Sequence, residues 1–470
     1  MLRYLKVAAL IAALPLLPAC RLFQEGPSTM PDRLQSSERQ VTSTPDGHQI
    51  TNIGAWSNDS RWLVYDLRRV DSKFDSPRIE RVNVETGAVE VLFTATNGAH
   101  VGVATCSPTD GRTVFIKGPE SPTPDWDYNA FHRQGVVVDF ANPGRAWNLD
   151  ARQLVPPFQA GALRGGTHVH TFSGDGQWVS FTYEDAVLAT APDSPAHEPN
   201  QRNVGVSILG NSVHSSNSHP RNHSGDAFTV LVTHTVANPR PGSDEISKAF
   251  EDAWVGTDGY VKPDGTQQKR AIAFQGNVVA LDGKTISEVF IVDLPADAAT
   301  VQLPGDGPLE GTATAMPRPP KAVVQRRLTH TDGRKFPGIQ GPRHWLRSSP
   351  DGSRIAFLAK DDAGVVQFWT ASPNGGEPVQ LTRNLWDVQS AFSWSPDGRW
   401  LAYAMDNSVW LAEAATGNSR RLTERSNDAE APMPYACVFS PDGTRIAFMR
   451  PSKFPDAGPQ LCVVELHWGL

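Results

Sequence analysis

The sequence predicts an all-β fold, a seven-bladed β-propeller closed by an N-terminal strand and carrying a partly helical insertion in blade four. Three observations carry the prediction: a recurring strand–turn–strand unit, its spacing, and a closing strand that is missing at one end of the chain and present at the other. The clearest unit runs from Gln389 to Ala404, with Ser395-Pro-Asp-Gly398 between two runs of alternating apolar side chains. Pro396 presets φ for the first corner, Asp397 tolerates the second, and Gly398 accepts the left-handed geometry that reverses the chain.

Near-identical copies begin at Ser349 and Ser440, and weaker ones at Ser57, Ser107, Ser173 and Ser224. The strict copies recur about every 45 residues, the length that four short strands and their turns require in one blade. A longer interval between Ser224 and Ser349 marks an insertion, at about 236–286 and 295–320. Complete blades end in runs such as Pro378-Val-Gln-Leu-Thr, but the seventh stops at Leu470 without one. Glu38-Arg-Gln-Val-Thr42 supplies that strand, which is expected to pair with the 435–466 segment and remove the exposed edges.

The domain limits follow. Arg3 and Lys6 precede an apolar run from Val7 to Leu17 that is too short to span a bilayer and has the shape of an export signal. Leu17-Pro-Ala-Cys20 resembles the bacterial lipobox; the resemblance implies a signal peptide over 1–19, an acylated Cys20, a tether over 20–37 and the propeller over 38–470. Arg21 after the cysteine implies the outer membrane, so the chain is expected to face the periplasm from a lipid anchor in the cell envelope. A plain secretory signal with an incidental cysteine is the alternative. Net charge −7 and the absence of a basic stripe argue against nucleic acid as a partner. Cys437 and Cys462, placed in the first and third strands of blade seven, are expected about 9–10 Å apart, beyond the reach of a disulfide. No Cys-x-x-Cys occurs, so no zinc–thiolate site is expected.

Along the blades, strands are expected at 79–84 and 89–93 in blade one, and at 136–139 and 146–149 in blade two. A polar, aromatic loop, Pro124-Asp-Trp-Asp-Tyr-Asn-Ala-Phe-His-Arg133, lies between strands of blade two. Blade three is expected to end near Val204–Leu209. In the insertion, Ile246, Ala249, Phe250, Ala253 and Trp254 follow helical spacing between the cap Ser243 and the stop Gly256, predicting an amphipathic helix resting on the propeller face.

In this architecture the strand before each turn lines the axial channel. Counting five residues back from each turn serine gives Asn52, Gly102, His168, His219, His344, Ser390 and Tyr435, so three consecutive blades present histidine at one register. Three neutral imidazoles suit a divalent transition metal such as manganese or zinc. The competing reading is polar packing between blades. His170 and Arg221 share the His168 and His219 segments, and Arg164 and Arg343 flank the histidine strands; these cations suit an anionic carbohydrate, unless they pair with Asp125, Asp127 or the acids of the predicted helix.

The Ser-Pro-Asp-Gly blades resemble TolB-like propellers over residues 38–470. His219-Pro-Arg-Asn-His223 together with Pro239-Arg-Pro-Gly-Ser-Asp-Glu-Ile246 is similar to the YidR-type branch of that group and carries no activity with it. A more distant likeness is to oligogalacturonate lyases, seven-bladed propellers that hold manganese with histidines and a glutamine. That likeness implies His168, His219, His344 and Gln340 as ligands, although the lyase spacing is not matched residue by residue. The chain is therefore expected to be a monomeric, lipid-anchored propeller that binds a ligand, an anionic carbohydrate or an envelope protein, at a histidine-lined mouth. A metal-dependent polysaccharide lyase and a pure interaction scaffold are the alternatives.

Overall fold

A computed structural model describes residues 34–342, 345–453 and 456–468. The repeat forms because its serine and aspartate bond each other and the turn backbone. Ser395 Oγ donates to Asp397 Oδ1 at 2.5 Å and accepts from Trp400 N at 2.9 Å, and Asp397 Oδ1 also accepts from Arg399 N at 3.0 Å. The same three bonds recur at Ser57, Ser173, Ser349 and Ser440, so each turn satisfies its own polar groups without tertiary help. Gly398 holds φ 69°, where a side chain would be strained.

These turns join seven antiparallel blades. Blade one contains Trp62–Asp66, Arg78–Asn83 and Val89–Thr94, with its inner strand reduced to bridges at Gln49 and Trp56. Blade two contains Val101–Cys106, Arg112–Lys117, Gln134–Asp139 and Ala146–Asn148. Blade three contains Gly165–Phe172, Trp178–Asp185, Asn203–Val213 and Gly225–Leu231, and blade four contains Ala249–Trp254, Arg270–Val279, Thr285–Leu294 and Val324–Arg327. Blades five and six begin at Arg347–Ser348 and Ser393–Trp394. Blade seven contains Cys437–Phe439, Arg445–Arg450 and Gln460–His467, and its fourth strand is Gln35–Gln40, in register from Gln35 opposite His467 to Gln40 opposite Cys462. The ring is closed by its N-terminal strand as expected. Cys437 and Cys462 both pair with Phe448 from opposite sides, two strands apart, and both are buried free thiols, as is Cys106.

Adjacent blades are tied at the residue just before the turn. Trp56, Trp254 and Trp394 each donate an indole N–H to the inner strand of the preceding blade, at Val438 O (3.0 Å), Thr171 O (2.9 Å) and Arg347 O (3.0 Å). The apolar core lies between blades; Phe368 meets Phe392 and Tyr403 edge-on at 4.8 and 4.9 Å.

Two expectations are corrected here. The predicted helix at 246–254 is the inner strand of blade four, Ala249–Trp254, and the Ser224 copy is the start of blade three's outer strand, Gly225–Leu231. The helical spacing has a physical source: the strand slips register between Phe250 and Ala253, with Glu251 at φ 54°, and the extra residue breaks the period of two. The α-helical part of the insertion is the short turn Ala298–Val301.

Candidate functional site

With blade four reassigned, equivalent inner-strand positions can be compared. Blades two, three and four share a bulge in the same place, with Val103, Val169 and Glu251 at φ 59°, 52° and 54°. The bulge turns the neighbouring side chains toward the axis. Blades five to seven have short inner strands instead, and blade five contributes Arg347 two residues before its turn serine. The equivalent residues elsewhere are Ala55, Thr105, Thr171, Ala253, Ser393 and Val438, so the charge at this position is peculiar to blade five.

Three spaces follow one another along the axis and share residues. On the turn side, a vestibule of about 340 Å³ is lined from all seven blades, by Trp56, Pro108, Phe172, Trp254, Pro350, Trp394, Phe439 and others, with Ile53 and Arg347 at its inner end. Beyond them is a waist with about 10 Å³ of free space, room for one water, lined by Ile53, His168, Val169, Thr182, Arg202, Phe250, Glu251, Asp252, Trp345 and Arg347. His168, Thr182 and Arg202 also line a crevice on the far side with Arg133 and Glu184.

The waist concentrates polar atoms without protein partners. Arg347 donates Nη1 to the Leu346 carbonyl at 2.6 Å and lies 5.1 Å from the Trp345 ring centroid, while its buried Nε and Nη2 have no partner. Burial lowers its pKa to about 10, and the charges of Glu251 and Asp252 hold it from falling further. Asp252 Oδ2 is likewise buried and unpaired; burial raises this carboxyl to about 7, against the opposing hydrogen bond from Ser180, and Glu251 adds to the rise. His168 Nδ1 is unpaired, and burial, then the charges of Arg133 and Arg202, keep the ring neutral. Arg202 is held by Glu184 at 2.8 Å. The arrangement offers two free guanidinium donors, a carboxyl with a pKa raised to about 7 and a neutral imidazole to one small polar ligand group.

The expected site residues divide. His168 is in the channel, as the register argument required. His219 is not on an inner strand: it lies on the connection between Asn203–Val213 and Gly225–Leu231, with its ring 6.3 Å from Trp126. Arg221 goes with it, bonded to the carbonyls of Glu120 (2.6 Å) and Ser121 (3.0 Å). His170 points away from the axis into the sheet packing, with Nε2 2.9 Å from Thr167 Oγ1. Arg164 is a correction as well. It is fully buried, paired to Asp185 at 2.7 Å and bonded to the carbonyls of Thr312 and Ala315 (3.0 Å), so it pins the 295–323 excursion. Gln340 gives its amide to the Pro337 carbonyl at 2.9 Å. Arg343, His344 and Cys20 lie outside the described residues.

The expected metal ligands are only partly placed, since His344 lies outside the described residues. Among the described residues no group of three or more His, Cys, Asp and Glu side chains converges; His168 shares its cleft with Glu251 and Asp252, and the charges of Arg133 and Arg202 bear on it. The residues that sequence reasoning missed are Arg202, Glu251, Asp252 and Arg347. Glu251 and Asp252 were hidden by the helical spacing, whereas Arg347 was visible as the odd charge at its repeat position.

Comparison with known proteins bears on both fold and family. A family model described as "Protein of unknown function (DUF3748)" matches residues 100–223, and one described as the N-terminal region of dipeptidyl peptidase IV matches residues 367–453. Among solved structures, an oligogalacturonate lyase in complex with manganese matches with TM-score 0.52 at 11% identity, over 92% of this chain and 93% of that one. A second oligogalacturonate lyase, from Vibrio parahaemolyticus, gives the same TM-score and identity over 92% and 96%. At this identity the likeness shows the propeller fold alone. YidR of Escherichia coli K12 is 45% identical over 441 residues, covering 94% of this chain and 99% of that one, and the chain belongs to the YidR family.

Proposed function

We propose that this chain is a lipid-anchored propeller of the bacterial envelope that binds a small anionic ligand, of the anionic-carbohydrate class, in its axial channel. The observation that carries the reading is Arg347, a buried guanidinium with Nε and Nη2 unpaired where the vestibule meets the waist. Leaving two buried guanidinium donors unsatisfied costs free energy, so the position makes sense when a carboxylate reaches them. The vestibule admits the body of the ligand, and the neutral His168 and the hydroxyl of Thr182 are placed for its polar groups. Titration calorimetry of galacturonate oligomers is the test. Wild type should bind them and Arg347→Met should bind at least about tenfold more weakly while remaining folded. No saturable binding by the wild type, or equal binding by the variant, removes the reading. The anchor is tested separately: wild type should partition with membranes and Cys20→Ala should not.

A second reading, elimination across a uronate, is favoured by Asp252, whose carboxyl lies near neutrality beside Arg347. In that chemistry Arg347 offsets the substrate carboxylate and ionised Asp252 takes the adjacent C5 proton. The C4–O bond then breaks as the C4–C5 double bond forms, and the departing oxygen takes a proton from water. Turnover to an ultraviolet-absorbing unsaturated product, lost in Asp252→Asn, would separate the enzyme from the binding protein.

A further inference from the structure

Outside the channel, the loop 124–133 of blade two and the His219–His223 connection of blade three meet around one indole. We infer that this is a second binding site, for an oxyanion carried on a sugar ring. Trp126 is half-exposed and held in a tight turn by bonds between its backbone and Thr123 (2.9 and 3.3 Å). His132 stacks on it at 3.7 Å, and the guanidinium carbons of Arg152 and Arg221 lie 5.7 and 5.9 Å from its centroid.

Charge and tautomer define the ligand. Both arginines are held by main-chain carbonyls, those of Arg133, Glu120 and Ser121, and among the described residues neither forms an ion pair; Asp150 is the acidic neighbour that partly offsets Arg152. Arg152 is buried, and its Nε has no partner. Burial lowers the pKa of both His132 and His219, so the rings are neutral near pH 7. His132 Nδ1 donates to the Asp127 carbonyl at 2.8 Å, which makes its buried, unpaired Nε2 an acceptor suited to a hydroxyl. His219 Nδ1 accepts from Arg221 N at 3.1 Å, which makes its Nε2 a donor suited to an oxyanion. An aromatic face, a hydroxyl acceptor and several oxyanion donors together select a sugar bearing an acid group over a bare anion or a neutral sugar. Asp125 and Asp127 are exposed on the same loop and disfavour a larger polyanion.

The test is calorimetry on the full chain with glucose 6-phosphate, glucuronate, glucose and inorganic phosphate. At least one of the two acidic sugars should bind, at least about tenfold more tightly than glucose or phosphate. The titrations are made in the Arg347→Met background, which removes binding in the axial channel, and there Trp126→Ala and Arg221→Gln should each weaken binding about tenfold. His219→Ala, which removes a half-exposed ring, should weaken it too and covers the case in which the other variants disturb the loop. In the Arg347→Met background, absence of saturable binding, phosphate bound as tightly as the sugar acid, or binding unchanged by Trp126→Ala, Arg221→Gln and His219→Ala would overturn the proposal.

Discussion

Blades five to seven and blades two to four are built from the same unit and diverge in what they leave unsatisfied. From Trp345 onward, Arg347 and Gln460 are the described residues with buried side-chain atoms lacking a partner. Blades two to four hold His132, Asp150, Arg152, His168, His170, His223 and Asp252 in that condition, along with the three left-handed bulges. Where the Ser-Pro-Asp-Gly turn is strict, each strand pair closes its own hydrogen bonds and packs apolar rings between blades, which makes scaffold. Departures from the repeat put polar atoms in buried places, where a ligand or water has to complete them.

If the strict half is the mechanical base of the ring, damage to its core should unfold the whole molecule. Phe368 is fully buried between blades five and six, and Phe368→Ala should cost about 3–5 kcal/mol in global stability, read as a lowered denaturation midpoint. A loss below about 1 kcal/mol would mean that those blades unfold independently of the ring.

In the irregular half the expected effect is large but local. Arg164→Ala leaves the buried Asp185 without its counter-ion, with only the Tyr183 hydroxyl and Leu188 N bonded to it, a change worth about 3 kcal/mol, and releases the carbonyls of Thr312 and Ala315. Hydrogen exchange should rise over 305–320 with little change in blades five to seven. The double variant Arg164→Met, Asp185→Leu should recover most of the stability but not the protection of the excursion. Unchanged exchange in Arg164→Ala would show that the excursion is held by other contacts.

What was legible in the sequence follows the same division. Turn copies were readable because Ser395, Asp397 and Gly398 act locally, and closure was readable because strand count is arithmetic. Blade four was unreadable for the opposite reason. Its turn, at Val255-Gly256-Thr257, lacks the serine and aspartate, and the bulge at Glu251 converts alternation into helical spacing. The Ser224 copy misled because an outer strand beginning Gly-Asp mimics a turn. That one shift carried His219 into the channel register, where Phe250 stands instead. His168 survived because its blade kept both the turn and the strand.

The waist itself should show its effect in the dependence of stability on pH. Asp252 has a folded pKa raised to about 7 by burial, against an ordinary value near 4, with Glu251, Arg347, His168 and Arg202 as the charged and titratable groups lining the same cleft. A raised carboxyl favours the folded state most when both states are protonated, below about pH 4. That contribution is lost as pH rises toward 7, because the unfolded chain ionises and the buried carboxyl resists. Wild type should therefore lose stability relative to Asp252→Asn between about pH 4 and 7. Above that window the gap should stay constant. Parallel stability curves for the two proteins would place Asp252 in a hydrated setting and remove it from any proton-transfer role, whereas the expected divergence marks a carboxyl that an anion at Arg347 would push still higher.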